Sequence, residues 1–130
     1  MFTSYYARDA NHPNAYCISA WPPKWADGIA CLQWLAPSHK LITQILRDEV
    51  TIEQYESLYL EEMQQKGSAE YIYSLIPDGA ILLCYERPGE SCHRRVLADW
   101  LTEELGVDIP ELATVSSSNT IDPIDDLLTF

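Results

Sequence analysis

The chain has 130 residues, the length of one domain, and its 47% hydrophobic content suffices for a buried core and excludes wholesale disorder. Its 20 acidic and 8 basic residues give a formal net charge of -12, which argues against direct binding to nucleic-acid phosphates. No apolar run is long enough for a membrane helix, and no secretory signal opens the sequence, so we expect a cytoplasmic protein with reduced cysteines. Cys17 and Cys31 are expected to be small buried apolar residues.

The first part of the chain predicts two strands, a loop and a helix. Met1–Ala7, rich in aromatic residues and threonine, and Ala15–Ala20 are typical of strands. The two prolines within Trp21–Trp25 exclude a helix there and predict a loop with aromatic walls. Ser38 is a suitable N-cap for a helix that runs to about Arg47.

Two further helices are predicted from their capping residues. Thr51 and Gln54 have the spacing of a capping box, and they begin a helix that ends near Gly67. Ser68 caps a shorter helix through Leu75. We expect the apolar stripes of these helices to face the core.

The next segment predicts a central strand and a long helix. Ala80–Tyr85 is a continuous apolar run bounded by turn residues, which suits a strand buried on both faces. Ser91 is a suitable N-cap for a helix from Cys92 to about Leu105, and Gly106 ends it.

The alternation of strands with helices predicts the fold class. We expect a small three-layer α/β domain over residues 1–115, Rossmann-like and built on a mostly parallel sheet. Residues 116–130 are polar and acidic, and they predict a flexible acidic C-terminal tail.

Chemically active side chains are concentrated around the turn that follows the predicted central strand. Ligands of open α/β sheets bind at the carboxyl ends of the strands. A thiol in the first turn of a helix has a lowered pKa, and arginines there recognise phosphate or carboxylate. The residues in question are Cys84, Glu86, Arg87, Cys92, His93, Arg94 and Arg95.

Three functional interpretations of this cluster remain open. The turn can bind an anionic small molecule, or Cys92 can act as a nucleophile while His93 or Glu86 moves protons. Cys84, Cys92 and His93 could also bind zinc, but the adjacent residues Cys92 and His93 point in different directions on a helix. We therefore predict no cofactor and keep zinc as the weaker alternative.

The same residues also have structural interpretations. The arginines can pair with neighbouring carboxylates such as Asp99. His93 can pack on the same helix face as Leu97 and Trp100.

Three segments of the chain resemble the domain-of-unknown-function family 488 of bacteria, archaea and phages. They are Leu83–Pro88, Cys92–Arg94 and Ala98–Leu101. In that family a hydrophobic strand ends in Cys-x-Glu-Lys, and Cys-His-Arg opens a helix. Arg87 stands here where many members carry Lys, which keeps the charge. Short N-terminal segments resemble one short branch of the family, so the likeness extends over about residues 1–105.

The resemblance implies an α/β, nucleotide-binding-like fold and gives no established activity. The Gly-His-Ser element of longer members is absent, so a site built on it is not carried over. The site residues that the resemblance suggests are Cys84, Glu86, Cys92, His93 and Arg94.

The end of the tail is a separate candidate for binding. Its acidic and apolar residues are similar to the acidic tip of bacterial single-stranded-DNA-binding proteins, which docks in basic pockets of replication and repair enzymes. It is also loosely similar to peptides that enter sliding-clamp pockets. The alternative is a disordered or self-docked end. The residues are Asp125, Asp126, Leu127, Leu128 and Phe130.

The leading hypothesis is a small intracellular enzyme acting on a nucleotide, nucleoside or other phosphorylated molecule. Arg94, with Arg87 or Arg95, would hold the anion, and Glu86 or Cys92 would be the reactive group. His93 would orient a group or shuttle a proton.

Two tryptophans are further candidates for this site. Trp21 and Trp25 could wall the pocket and stack on a base, with core or interface packing as the alternative. Four tryptophans and eight tyrosines also leave room for a homodimer face.

Two rival hypotheses keep the same scaffold. One is a non-catalytic protein that binds or sequesters a ligand. The other is a protein-interaction module of phage type, which imitates nucleic acid through its acidity or docks a replication or repair protein by its tail.

Overall fold

The computed structural model describes residues 1–85 and 93–113. Within these ranges the strands are β1 (Phe2–Tyr5), β2 (Ala15–Cys17), β3 (Ala30–Cys31) and β4 (Ile81–Cys84). The helices are α1 (Tyr6–Asp9), α2 (His39–Leu46), α3 (Ile52–Lys66), α4 (Ala69–Leu75) and α5 (His93–Leu105). Lys24–Ala26 and Gln33–Leu35 form short 3-10 helices.

The four strands form one parallel sheet in the order β1-β4-β2-β3. In register, Tyr5 lies beside Cys84, and Cys17 lies beside Leu83. Beyond β1, Glu111 forms an isolated parallel bridge with Thr3. The predicted α/β class with a parallel sheet is therefore confirmed.

Strand β4 is buried on both faces, as its apolar sequence predicts. Successive side chains of a strand point to opposite faces. Leu82 contributes to a core cluster with α3, α4 and α5, whereas Ile81 and Leu83 contribute to a second cluster that contains Tyr6 and Cys17. Both faces of the sheet are thus covered, and the carboxyl end of β4 lies between two packed layers.

The capping residues predicted from sequence begin α2, α3 and α4. The hydroxyls of Ser38 and Ser68 accept from backbone N–H groups in the first helical turns, and Thr51 with Gln54 forms the capping box. Gly106, with φ +70°, follows the end of α5. Among the helices described, none is long and apolar enough for a membrane crossing.

The structure of the N-terminal region differs from the predictions in several respects. The first strand ends at Tyr5 rather than Ala7, because the chain turns into α1 and buries the ring of Tyr6 in the second cluster. The two-residue strand β3 was not predicted, although residues 29–32 form a short apolar run. Cys31 lies on this edge strand and is exposed, whereas Cys17 is buried as expected.

A buried ion pair holds the first turn of α5. Arg94, 1% exposed, forms two bonds with Glu111, Nε to Oε1 at 3.0 Å and Nη2 to Oε2 at 3.1 Å. Its Nη1 donates to the sulfur of Cys84 at 3.0 Å, and Thr3 donates its hydroxyl to Glu111 Oε1 at 2.7 Å. The pair therefore joins α5 to the end of β4 and to the segment around Glu111, which lies beside the outer edge of β1.

Replacing Glu111 should destabilise the fold strongly, because Glu111→Gln leaves a buried guanidinium without its counter-charge. We expect the free energy of unfolding to fall by about 3–5 kcal/mol, measured by urea denaturation. The matched control is Asp99→Asn, because Asp99 is exposed and pairs with Arg95 at 3.2 Å. That change should cost roughly 0.5 kcal/mol or less. Equal losses in the two variants would contradict the role assigned to the buried pair.

Candidate functional site

A pocket of about 320 Å³ lies at the carboxyl edge of the sheet, between β4 and β2. Cys84 and Tyr85 line it from the end of β4, and Ser19 and Trp21 line it from the chain that follows β2. His93, at the start of α5, completes the part of the wall next to the sheet.

The topology of the sheet explains why the pocket lies there. The chain that leaves β2 continues to β3 at one edge of the sheet. The chain that leaves β4 passes through α5 to Glu111, which bridges to β1 at the opposite side. Connections that diverge from neighbouring parallel strands leave a crevice at their carboxyl ends, where ligands of such sheets bind.

The pocket has an apolar and aromatic wall. Ile42, Ile45 and Leu46 line it from α2, and Tyr55 lines it from α3. Leu46 is 79% exposed and Trp21 is 59% exposed, so the mouth opens to solvent between apolar groups. Among the described residues, no charged side chain lines the pocket. Such a wall suits a flat, uncharged group better than a bare anion.

His93 is buried although it reaches the pocket. Its Nε2 lies 2.7 Å from the carbonyl oxygen of Ile18, and its ring packs edge-on against Tyr59 with centroids 5.2 Å apart. Burial lowers the pKa of His93 to about 4, and the neighbouring charge of Arg94 adds to this shift. At neutral pH the ring is therefore uncharged, and its Nε2–H donates to the carbonyl. This state suits orienting a group better than shuttling a proton.

Of the remaining site residues predicted from sequence, Cys84 reaches the pocket, and Arg94 contacts its sulfur from the side. Cys84 is disulfide-bonded, so the expectation of reduced cysteines is wrong for this residue. Neither Arg94 nor Arg95 lines the pocket. Arg95 donates to Thr3 Oγ1 at 2.9 Å and pairs with Asp99, which matches the structural interpretation given for this arginine.

The two candidate tryptophans lie at different places. Trp21 walls the pocket at the carboxyl edge, but Trp25 lines a separate hollow of about 300 Å³ together with His12 and Asp27. Ala15 and Ala30, the first residues of β2 and β3, line that second hollow. It therefore lies at the amino ends of these strands, opposite the pocket.

Several predicted residues lie outside the described ranges. Glu86, Arg87 and Cys92 are in segment 86–92. The tail residues, also outside the description, are Asp125, Asp126, Leu127, Leu128 and Phe130. In residues 1–85 and 93–113, no group of three histidine, cysteine or acidic side chains could hold a metal ion.

Sequence reasoning missed Ser19 as a site residue and Glu111 as the partner of Arg94. Ser19 was expected inside a strand that ran to Ala20, whereas β2 ends at Cys17 and releases Ser19 to the pocket. A shorter strand would have placed Ser19 at the carboxyl edge by the same rule that selected Cys84. Glu111 carries no local signal, because its partner is 17 positions away.

The low pKa of His93 predicts a loss of stability in acid. The unfolded chain takes up a proton on this residue near its ordinary pKa of 6.5, but the folded chain does so only near 4. The free energy of unfolding should therefore fall as the pH drops through this range, by about 3 kcal/mol from this group alone. Denaturation across the range should show a smaller fall in His93→Gln, and an equal fall would contradict the assignment.

The comparisons with known proteins give one match. Residues 24–105 match the model of DUF488-N3a, described as the active DUF488-N3 subclade. No curated protein and no solved structure matches the chain. Because the matched region covers more than half of the sequence and contains most of the pocket lining, the chain belongs to the DUF488-N3a subclade of family 488.

Proposed function

We propose that the protein is an enzyme acting on a nucleoside or nucleotide, whose base occupies the pocket between β4 and β2. The observation that carries this proposal is an aromatic, uncharged pocket at the divergence of two parallel strands. Its volume of about 320 Å³ lies at the lower end of the range of small-molecule sites, about 300–1,000 Å³. The description of the matched subclade as active favours catalysis over binding alone.

A base fits the lining better than a phosphate does. Trp21 offers an exposed ring on which a base can stack, and the apolar wall of α2 faces the same space. The guanidinium of Arg94 is paired with Glu111, so within the described chain it does not supply charge to this space. A phosphate on the ligand would depend on Arg87, which remains a prediction from the sequence.

The reactive groups of the proposal are Glu86 and Cys92, and Cys92 can act only as a free thiol, in the reduced protein. They belong to the segment that joins Tyr85 to His93, and both of these flanking residues line the pocket. In this scheme His93 is a positioning residue, because its ring is neutral and its Nε2–H is engaged with Ile18.

Stacking on Trp21 gives the first test of the ligand. Trp21→Ala should weaken the binding of a nucleoside roughly 5- to 150-fold, because base stacking on an aromatic ring contributes about 1–3 kcal/mol. Calorimetric titration with adenosine, cytidine, guanosine and uridine would measure the change in Kd.

Trp25→Ala is the matched control for this measurement. Trp25 is similarly exposed, at 65%, but lies in the other hollow, so its removal should leave the Kd unchanged. If Trp25→Ala weakens binding and Trp21→Ala does not, the base does not occupy the proposed pocket.

Catalysis is tested separately from binding. In a reducing buffer, which frees the cysteine thiols, we expect the wild type to convert at least one nucleoside or nucleotide of a panel. Liquid chromatography with mass spectrometry would measure the conversion. Cys92→Ala or Glu86→Gln should lower the rate roughly 100-fold or more if that residue transfers protons or attacks the substrate. Binding without conversion by the wild type would instead favour a non-catalytic binding protein.

A further inference from the structure

We infer that a ring of hydrogen bonds among Tyr6, Cys17 and Ser19 turns the Ser19 hydroxyl into a fixed hydrogen-bond acceptor for the pocket. The site would then select a base that presents an N–H donor at this position. The inference rests on the proposed function, because it concerns the same pocket and the same ligand class.

Three contacts close the ring. Tyr6 Oη lies 2.6 Å from Ser19 Oγ and 2.9 Å from Cys17 Sγ. Cys17 Sγ lies 3.4 Å from the backbone carbonyl oxygen of Ser19. All three residues are buried, and Ser19 alone of the three lines the pocket.

The available hydrogens fix the direction of these bonds. The carbonyl of Ser19 can only accept, so the free thiol of Cys17 must donate its one hydrogen to it. The sulfur can then only accept from Tyr6, whose single hydroxyl hydrogen is used there. Tyr6 Oη must in turn accept from Ser19 Oγ–H. Arranged in this sense, three hydrogens serve the three contacts.

This direction leaves Ser19 without a hydrogen to offer the ligand. Its hydroxyl hydrogen points to Tyr6, so toward a ligand in the pocket that Ser19 lines, Oγ can only accept with its remaining lone pair. Burial raises the pKa of the Tyr6 phenol well above its ordinary value. Tyr6 therefore keeps the hydroxyl hydrogen that it donates to Cys17. The acceptor character of Ser19 therefore persists across the neutral pH range.

Tyr6 also holds a second part of the pocket. Its ring packs edge-on against Tyr85 with centroids 4.9 Å apart, and Tyr85 donates its hydroxyl to the carbonyl of Trp21 at 2.8 Å. Tyr6 does not touch the pocket itself, so it is a positioning residue. Removal of its hydroxyl breaks the hydrogen bond to Ser19, whereas the aromatic contact with Tyr85 is retained.

Two pairs of nucleosides isolate the predicted preference. Adenosine and purine riboside differ by one exocyclic amino group, and so do cytidine and 4-deaminocytidine. In the wild type we expect the amino-bearing member of at least one pair to bind roughly five- to tenfold more tightly, as one added hydrogen bond allows. Calorimetric titration would give the ratio of Kd values.

Two variants test whether the hydrogen bonds among Tyr6, Cys17 and Ser19 cause this preference. Ser19→Ala removes the acceptor, and Tyr6→Phe lets the Ser19 hydroxyl rotate and donate as well as accept, so both should bring the ratio close to one. Ser74→Ala is the matched control, because the Ser74 hydroxyl donates to the backbone carbonyl of Tyr71 at 2.6 Å on the exposed face of α4. It should keep the wild-type ratio. Circular dichroism would verify that each variant is folded.

The outcomes separate this inference from the proposed function. Nucleoside binding with a ratio that Tyr6→Phe leaves unchanged would overturn the inference and leave the function standing. The absence of binding by every nucleoside would overturn the function and, with it, the preference.

Proton NMR of the ligand-free protein tests the direction of these hydrogen bonds independently of ligand binding. The hydroxyl proton of Tyr6 should exchange slowly and cross-relax most strongly with the β protons of Cys17. Stronger cross-relaxation with Ser19 would show the opposite direction and overturn the inference, whatever the protein binds.

Discussion

The buried pair of Arg94 and Glu111 is the interaction on which the site depends. A guanidinium removed from water is tolerated only when its charge and its N–H groups are matched, and here Glu111 and the sulfur of Cys84 match them. The pair fixes the start of α5 against the end of β4. His93 is the neighbour of Arg94, so the same constraint sets where its ring enters the pocket wall.

The pairing also changes what the pocket can recognise. An arginine in the first turn of a helix at the carboxyl edge of a sheet is typical of an anion site. Glu111 neutralises this arginine from the far side of β1, and the described pocket is left with aromatic and apolar walls. Recognition of a base by shape, stacking and a few hydrogen bonds is what such walls allow.

The sequence predicts the features that depend on neighbouring residues. The caps at Ser38 and Thr51 and the burial of β4 follow from short local patterns, and the placement of Cys84 at the strand end follows from β4. The partner of Arg94 depends on a tertiary contact, which no local pattern records. Sequence reasoning therefore located the edge of the sheet where the pocket lies, but it did not find the long-range pairing of Arg94 with Glu111.

Stability and recognition share the same groups in this fold. Tyr6 fills the second core cluster with its ring while its hydroxyl orders Ser19, and His93 lines the pocket while its burial keeps it neutral. Core side chains are close-packed and move little, so polar atoms attached to them are held in fixed directions. A site built this way gains selectivity from the rigidity of the core. Substitutions that improve packing around Tyr6 are thus constrained by the hydrogen bond that its hydroxyl must still make.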